Sequence, residues 1–373
     1  MTTLRRFAGL AFAGFAFAVS SFAGVAGAQA RWTLTETLRI GGGEAGPTSF
    51  SWAKSIDADS KGRILVYEHS TQDIRMFGAD GKHIRSIGRA GSGPGELRNA
   101  EGLVIARDGK IWVRDAANSR FSIFSGEGVY ETSWRARFCT SQGSWAPHLD
   151  RSGRIIDEDC LIKGTSAVGY AVMAYHTDMS KVDTLAEKPE CGTRDLARAG
   201  SFVTTMGRGT MYRSIPWWPG PRSTVGPDGE IWCAANSSRY ELTRTAPGTA
   251  APVQASRTAM TVPVSATERD SVIAIFEKNG PTGLDYGRIP KVKPAIDRLT
   301  VDDQGRLWVH RTNGKGRLEF DIFSSNGRII ATAELGEFRH STYMPFVVRG
   351  DMLYAVTLDQ DDLPAVVRFK IGR

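Results

Sequence analysis

Asp57, Glu68, Glu101 and Asp297 are acids that fall in different copies of an internal repeat. Brought to one point they would supply the oxygen ligands a calcium ion takes, and a cation held there could serve a hydrolysis. Their spacing does not itself impose that convergence. A second set is suited to recognition. Lys54, Arg114, Arg222, Arg298 and Arg311, with Glu101 and His310 among them, stand at equivalent strand ends of the repeat. Guanidinium groups grip carboxylates through paired hydrogen bonds, and a concave mouth with surplus cations focuses positive potential. This set predicts an anionic or carboxylate-bearing ligand, with Trp217 or Tyr343 as an apolar wall.

Other chemistry finds less support. None of the six histidines forms a metal-type pair on a helix, and His148 falls on an inner strand, where a buried, hydrogen-bonded role is expected. No G-x-S-x-G nucleophile elbow occurs. The glycine-rich segments Gly41–Gly46 and Gly88–Gly95 lack the lysine and the helix of a phosphate loop and read as connecting turns. Catalytic residues are therefore not assigned, and no cofactor is called for apart from calcium under the hydrolase alternative.

The elements that position these residues come from one stretch, Gly102–Tyr130. Three apolar runs, Leu103–Ala106, Ile111–Val113 and Phe121–Phe124, are separated by turn signals, which predicts an antiparallel meander. The segment Asp108-Gly109-Lys110-Ile111-Trp112-Val113 has relatives at Gly62, Gly153, Gly229 and Gly305, and a weaker one at Leu353. Spacings of 47 and 44 residues match one four-stranded propeller blade, and two of 76 imply insertions. Trp112, Trp232 and Trp308 share one repeat position and read as packing between blades. The first insertion holds Trp217 and Trp218 in a proline-rich run, where they either contact a ligand or plug the insertion onto the core. The second, Ser265–Lys278, predicts a short helix capped by Ser265 and Glu268. The strand Thr33–Ile40 is expected to close the last blade from outside, since an open propeller leaves an exposed edge.

Residues 1–30 are a different material. Arg5 and Arg6 precede an apolar run, and Ala28-Gln29-Ala30 supplies a small-x-small cleavage site, so this segment reads as a secretory signal peptide and residues 31–373 as the propeller domain. Without it the formal charge falls from +7 to +5, and the remaining Lys and Arg are scattered. That pattern argues against a nucleic-acid partner and against membrane insertion, and places the domain in the periplasm or outside the cell. Cys139, Cys160, Cys191 and Cys233 fit an oxidising compartment. Cys139 follows the outer strand of blade two and Cys160 the second strand of blade three, so a Cys139–Cys160 bridge is expected, leaving Cys191 with Cys233.

Gly91-Ser92-Gly93-Pro94-Gly95-Glu96-Leu97, then Asp108–Asp115, then Asn118-Ser119-Arg120-Phe121, resembles an NHL repeat. The whole is similar to exported bacterial six-bladed propellers of the NHL and TolB-like type. Blade three departs, with Asp157-Glu158-Asp159 where other copies have Val or Cys. The resemblance implies that Asp115, Asn118 and Arg120 stabilise a turn. It also implies an all-β fold serving as an extracytoplasmic binding platform for a ligand or protein, with a divalent-cation hydrolase as the alternative.

Overall fold

Apolar and turn residues alternate along the chain, and each turn glycine of the repeat sits at positive φ, from 60° at Gly350 to 87° at Gly153, a conformation that side chains with a Cβ resist. At three of these turns an aspartate three residues before the glycine pairs with the arginine just after it: Asp59 with Arg63 (2.7 Å), Asp150 with Arg154 (2.7 Å) and Asp302 with Arg306 (2.6 Å). Each carboxylate also accepts backbone N–H groups of the turn. The turns thus fix the strand register from within.

The computed structural model describes residues 29–373, apart from 42–44, 137, 139–145, 164–165, 188–190, 192–198, 207–208, 249–250, 280–282, 314–316, 340–344 and 360. The expected signal segment lies outside them apart from Gln29 and Ala30. Six antiparallel units of four strands follow one another as the blades of a propeller. Blade one is Ala53–Ala58, Ile64–Glu68, Asp73–Phe77 and His83–Ile87. Blade two is Ala100–Ile105, Ile111–Asp115, Arg120–Phe124 and Tyr130–Arg135. Blade three is His148–Leu149, Ile155–Lys163, Ser166–Tyr175 and Val182–Glu187. Blade four is Arg222–Val225, Ile231–Ala234, Glu241–Thr245 and Val253–Ser256. Blade five is Ile296–Val301, Leu307–Arg311, Arg317–Phe323 and Ile329–Arg339. Blade six is Phe346–Arg349, Met352–Leu358 and Pro364–Gly372, completed by the N-terminal strand Ala30–Gly41.

The core lies between blades. Leu65 and Tyr67 of blade one pack on Leu103 and Val113 of blade two, and equivalent apolar clusters join each later pair. One more, with Ile56 and Phe77 against Tyr354 and Val366, joins blade six back to blade one. Trp112, Trp232 and Trp308 are fully buried in this system, as packing residues should be.

The N-terminal strand behaves as expected. Thr33 to Gly41 run antiparallel to Gly372 to Ala365, with one irregularity between Glu36 and Leu38. Ala30–Trp32 also lie parallel to Ala331–Ala333 of blade five, which joins blades five and six into one eight-stranded sheet. Trp32 is buried edge-to-face on Trp308, with the Arg306 and Arg373 guanidiniums over its ring.

The two insertions meet. The second holds the expected helix, α1 (Ala266–Asn279), with the reciprocal cap in place: Glu268 N–H donates to Ser265 Oγ (3.2 Å), and Ser265 N–H to Glu268 Oε2 (3.0 Å). The first carries a hairpin absent from the sequence reading, Ser201–Met206 with Gly209–Ser214. Phe202 and Ile215 beside it, Phe276 of α1, Tyr286 and both Trp217 and Trp218 form a satellite apolar cluster. The tryptophans thus plug the insertion. Gly200 lies so close under the Trp218 ring that a Cβ there would meet it at 2.4 Å.

Cys191 and Cys233 form a disulfide that ties the first insertion to the second strand of blade four. Cys160 is disulfide-bonded too, and its expected partner Cys139 lies outside the described residues. The Cys191–Cys233 bridge closes a loop spanning 42 residues, for which the chain-entropy argument gives ~4 kcal/mol. The double variant Cys191→Ser/Cys233→Ser is expected to lose about 2–4 kcal/mol in urea unfolding. Unchanged stability would mean that apolar contacts alone hold the insertion.

Candidate functional site

In blades one, two, four and five the first strand begins, and the second strand ends, at one edge of the blade. Ala53 pairs with Glu68, Ala100 with Asp115, Arg222 with Ala234 and Ile296 with Arg311. Among the side chains expected to line a channel mouth, several that stand near these edges form two clusters.

The first spans blades one to three. Arg114 is 1% exposed and Asp157 fully buried; Arg114 Nε lies 3.1 Å from Asp157 Oδ2, and Arg114 Nη1 lies 3.4 Å from Glu101 Oε2. Arg114 Nη2 donates to the Glu158 carbonyl (3.3 Å), and the guanidinium lies over the Phe138 ring at 4.5 Å. Burial pushes the Asp157 carboxyl up to about 7, against the opposing pull of Arg114. Lys54 donates to Asn99 Oδ1 (3.4 Å), and burial lowers its pKa; Glu101 pulls it back up and Arg114 pushes it further down. The acidic run that departs from the repeat in blade three is therefore the partner of Arg114. The second strand of that blade, Ile155–Lys163, is paired with only two residues of the first, so Asp157 and its neighbours run on past it. Asp159 accepts the Tyr175 hydroxyl.

The second cluster joins blades four and five. Arg222 Nε donates to the Asp297 carbonyl (2.8 Å), and His310 Nδ1 lies 2.8 Å from Asp297 Oδ2. Arg298 is directly opposite His310 across the strand pair. Its guanidinium is pushed down by burial and by the charge of Arg222, and pulled up by Asp297. Two guanidiniums, one imidazole and one carboxylate thus share a partly buried place.

The remaining candidates lie elsewhere. Arg311 pairs with Glu319 (2.5 Å) and Asp321 (3.3 Å), and Asp321 also takes Arg257 and the Tyr240 hydroxyl, beside a cavity of about 60 Å³. Trp217 belongs to the satellite cluster. Tyr343 lies outside the described residues.

The four acids proposed for a cation take four separate partners. Asp57 accepts from Ala58 N, Ile105 N and Arg349; Glu68 from the backbone of Ser51, Trp52 and Ser70. Glu101 pairs with Arg114 and Asp297 with His310. Among the described residues no three metal-type side chains come together. His148 Nδ1 donates to the Ala146 carbonyl (3.3 Å), and burial pulls its pKa down to about 4. Asp115 accepts from Arg98 N, Asn118, Arg120 and Ser122, which makes this constellation a turn network.

A model of the DUF5128 family, described as a 6-bladed beta-propeller, matches residues 55–141. A member of the duf4221 family from Bacteroides vulgatus is similar in structure, with a TM-score of 0.54 at 11% identity, over 92% of this chain and 99% of that one. Virginiamycin B lyase from Staphylococcus aureus gives 0.46 at 14%, over 90% and 99%. Regucalcin from Agrobacterium tumefaciens, a calcium-binding protein, gives 0.42 at 14%, over 91% and 97%. At these identities the likeness shows the fold alone. No curated sequence matches the chain.

Proposed function

We propose that the protein is an extracytoplasmic binding platform, a propeller of the NHL or TolB-like type, that takes an anionic, carboxylate-bearing ligand at the mouth formed by blades four and five. One observation carries the reading. Arg222, Arg298 and His310 gather at Asp297, Arg222 on its carbonyl and His310 on its carboxylate, in a place where burial already weighs on the Arg298 charge. An arriving carboxylate would relieve that cost, since a desolvated cation gains most from a counter-ion. Export is supported by the Arg5–Ala30 segment and by the Cys191–Cys233 bridge. No helix among the described residues is long and apolar enough to cross a membrane.

The test is a thermal-shift screen of acidic metabolites and acidic sugars on the wild type, on Arg222→Gln and on Arg222→Gln/Arg298→Gln. At least one carboxylate is expected to raise the wild-type melting temperature, and to do so less in the single variant and not at all in the double. Identical responses to every anion would remove the positive mouth from the function.

A further inference from the structure

A groove of about 530 Å³ opens between blades one and two, away from the Arg222–Arg298 cluster, and is walled by His69, Gln72, Gly91, Ser92, Arg98 and Asn99. Its volume lies within the ~300–1,000 Å³ usual for small-molecule sites. Three features distinguish it from a crevice between loops.

The first is a preformed polar wall. Gln72 and Asn99 both hold left-handed backbone conformations, φ 57° and 49°, which cost energy for residues other than glycine and gather where a site needs them. They are bolted together: Gln72 Oε1 accepts from Asn99 N (2.6 Å) and from the Tyr67 hydroxyl (2.8 Å), and Gln72 Nε2 donates to the His69 carbonyl (2.6 Å). The glycine-rich wall opposite is held by Asn118, which donates to the Gly91 carbonyl (3.1 Å), and by Arg120, which donates to those of Gly93 and Glu96 (2.8 Å each).

The second feature is an aromatic ring at the rim: Trp52 is not a wall of the groove but stands against His69, which is, with Lys54 Nζ 5.6 Å from the indole centroid. Trp52 is 49% exposed, and its ring stands 4.2 Å from that of His69. His69 is held toward its neutral form by burial and by Lys54, so it backs the indole as an apolar ring.

The third is charge. No acid lines the groove. The carboxylates around it are taken, Glu68 by the backbone of Ser51 and Trp52, Asp115 by its turn, and Glu96, beside Gly91, by Arg89 and Gly93 N. The exposed Arg98 side chain makes no ion pair among the described residues, and Lys54 Nζ reaches the same rim at Asn99.

We propose that this groove binds a pyranose carrying a carboxylate, a uronic acid, with the ring face on Trp52 and the acid group on Arg98. A flat aromatic face suits the C–H face of a sugar ring. The Asn99 amide N–H groups and the Ser92 hydroxyl suit its hydroxyls. A fork of guanidinium donors with no acid partner suits its carboxylate. The unit could come as a free monosaccharide or as the end of a polyuronate chain.

Titration calorimetry on the full domain with glucuronic acid, a short oligogalacturonide, glucose and acetate tests this. Glucuronic acid or the oligogalacturonide should bind, and the tighter of the two identifies the source. Glucose should bind at least about tenfold more weakly, and acetate more weakly still, since each lacks one of the two contacts. Trp52→Ala should abolish uronate binding. Arg98→Gln, on an exposed side chain and hence safe for the fold, should reduce it to the level of glucose. Arg222→Gln/Arg298→Gln should leave it unchanged, which separates this site from the mouth. Acetate binding as tight as uronate, retention of affinity in Trp52→Ala or Arg98→Gln, loss of affinity in the Arg222→Gln/Arg298→Gln variant, or no uronate binding would each overturn the proposal.

Discussion

Replacing Arg114 with alanine is expected to cost about 3–5 kcal/mol of folding stability, the usual result of leaving a buried charge without its partner. Arg114 sits between Glu101 of blade two and Asp157 of blade three, all three shut from water, and truncation also empties the space over Phe138. The pH dependence follows from Asp157. Its carboxyl is raised from 3.8 to about 7 by burial, so the folded state binds this proton more tightly than the unfolded one. The stabilisation is complete below about pH 4 and is lost as pH rises through about 7, a few kcal/mol in total at ~1.4 kcal/mol per unit. His148 works in the opposite sense. Lowered from 6.5 to about 4, it adds stability as pH rises across that window. The diagnostic quantity is therefore the difference between wild type and Asp157→Asn in urea midpoints from pH 4 to 7.5. The wild type should lose stability relative to the variant as pH rises. A constant difference would mean that Asp157 stays ionised throughout, held by Arg114.

The second large effect is expected from deleting residues 31–40. The chain should lose its folded monomer at room temperature and elute as aggregate. The deletion removes the buried side chains of Trp32 and Ile40 and leaves the Pro364–Gly372 strand with an unpaired edge. Trp32→Ala probes the same closure without exposing an edge, and should cost about 3–5 kcal/mol as a large-to-small core change. Size-exclusion chromatography and thermal melts read both. A truncated protein that remains monomeric with an unchanged melting temperature would show that closure does not depend on this strand.

Much of the fold was legible because the repeat is local. A glycine at positive φ, an aliphatic pair and a tryptophan at fixed offsets specify one hairpin, and copies of it specify blades. The same logic reached Ser265 and Glu268 at the helix start, since a cap is read within four residues. The hairpin Ser201–Ser214 was not visible, because two strands that pair only with each other carry no copy of the repeat, and Phe202 is buried by residues far along the chain, among them Phe276 and Tyr286. The turn pairs Asp59–Arg63, Asp150–Arg154 and Asp302–Arg306 were in plain sight as a shared spacing around the glycine, and blade three shares them despite its acidic second strand. For the site, sequence position placed Glu68, Asp115, Arg222 and Arg311 at strand ends. It could not tell which cations would already be matched. Arg114 and Arg311 meet acids contributed by other strands, Asp157 and Asp321, and such meetings are set by packing between elements distant in sequence.

The N-terminal strand has a consequence for how the molecule comes to exist. Its partners, Gly372 back to Ala365 and Ala331 to Ala333, lie at the far end of the chain. During synthesis residues 30–41 emerge early and must wait for nearly everything else before they can pair. Blades one to four close on local hairpins and can form in turn. The last step is a contact of almost maximal sequence separation, the slowest kind to make because so much chain must be ordered first. Until it is made, two strand edges are open at once, one on blade five and one on blade six. The final ring closure therefore sets the interval during which the nascent protein depends on protection from its neighbours.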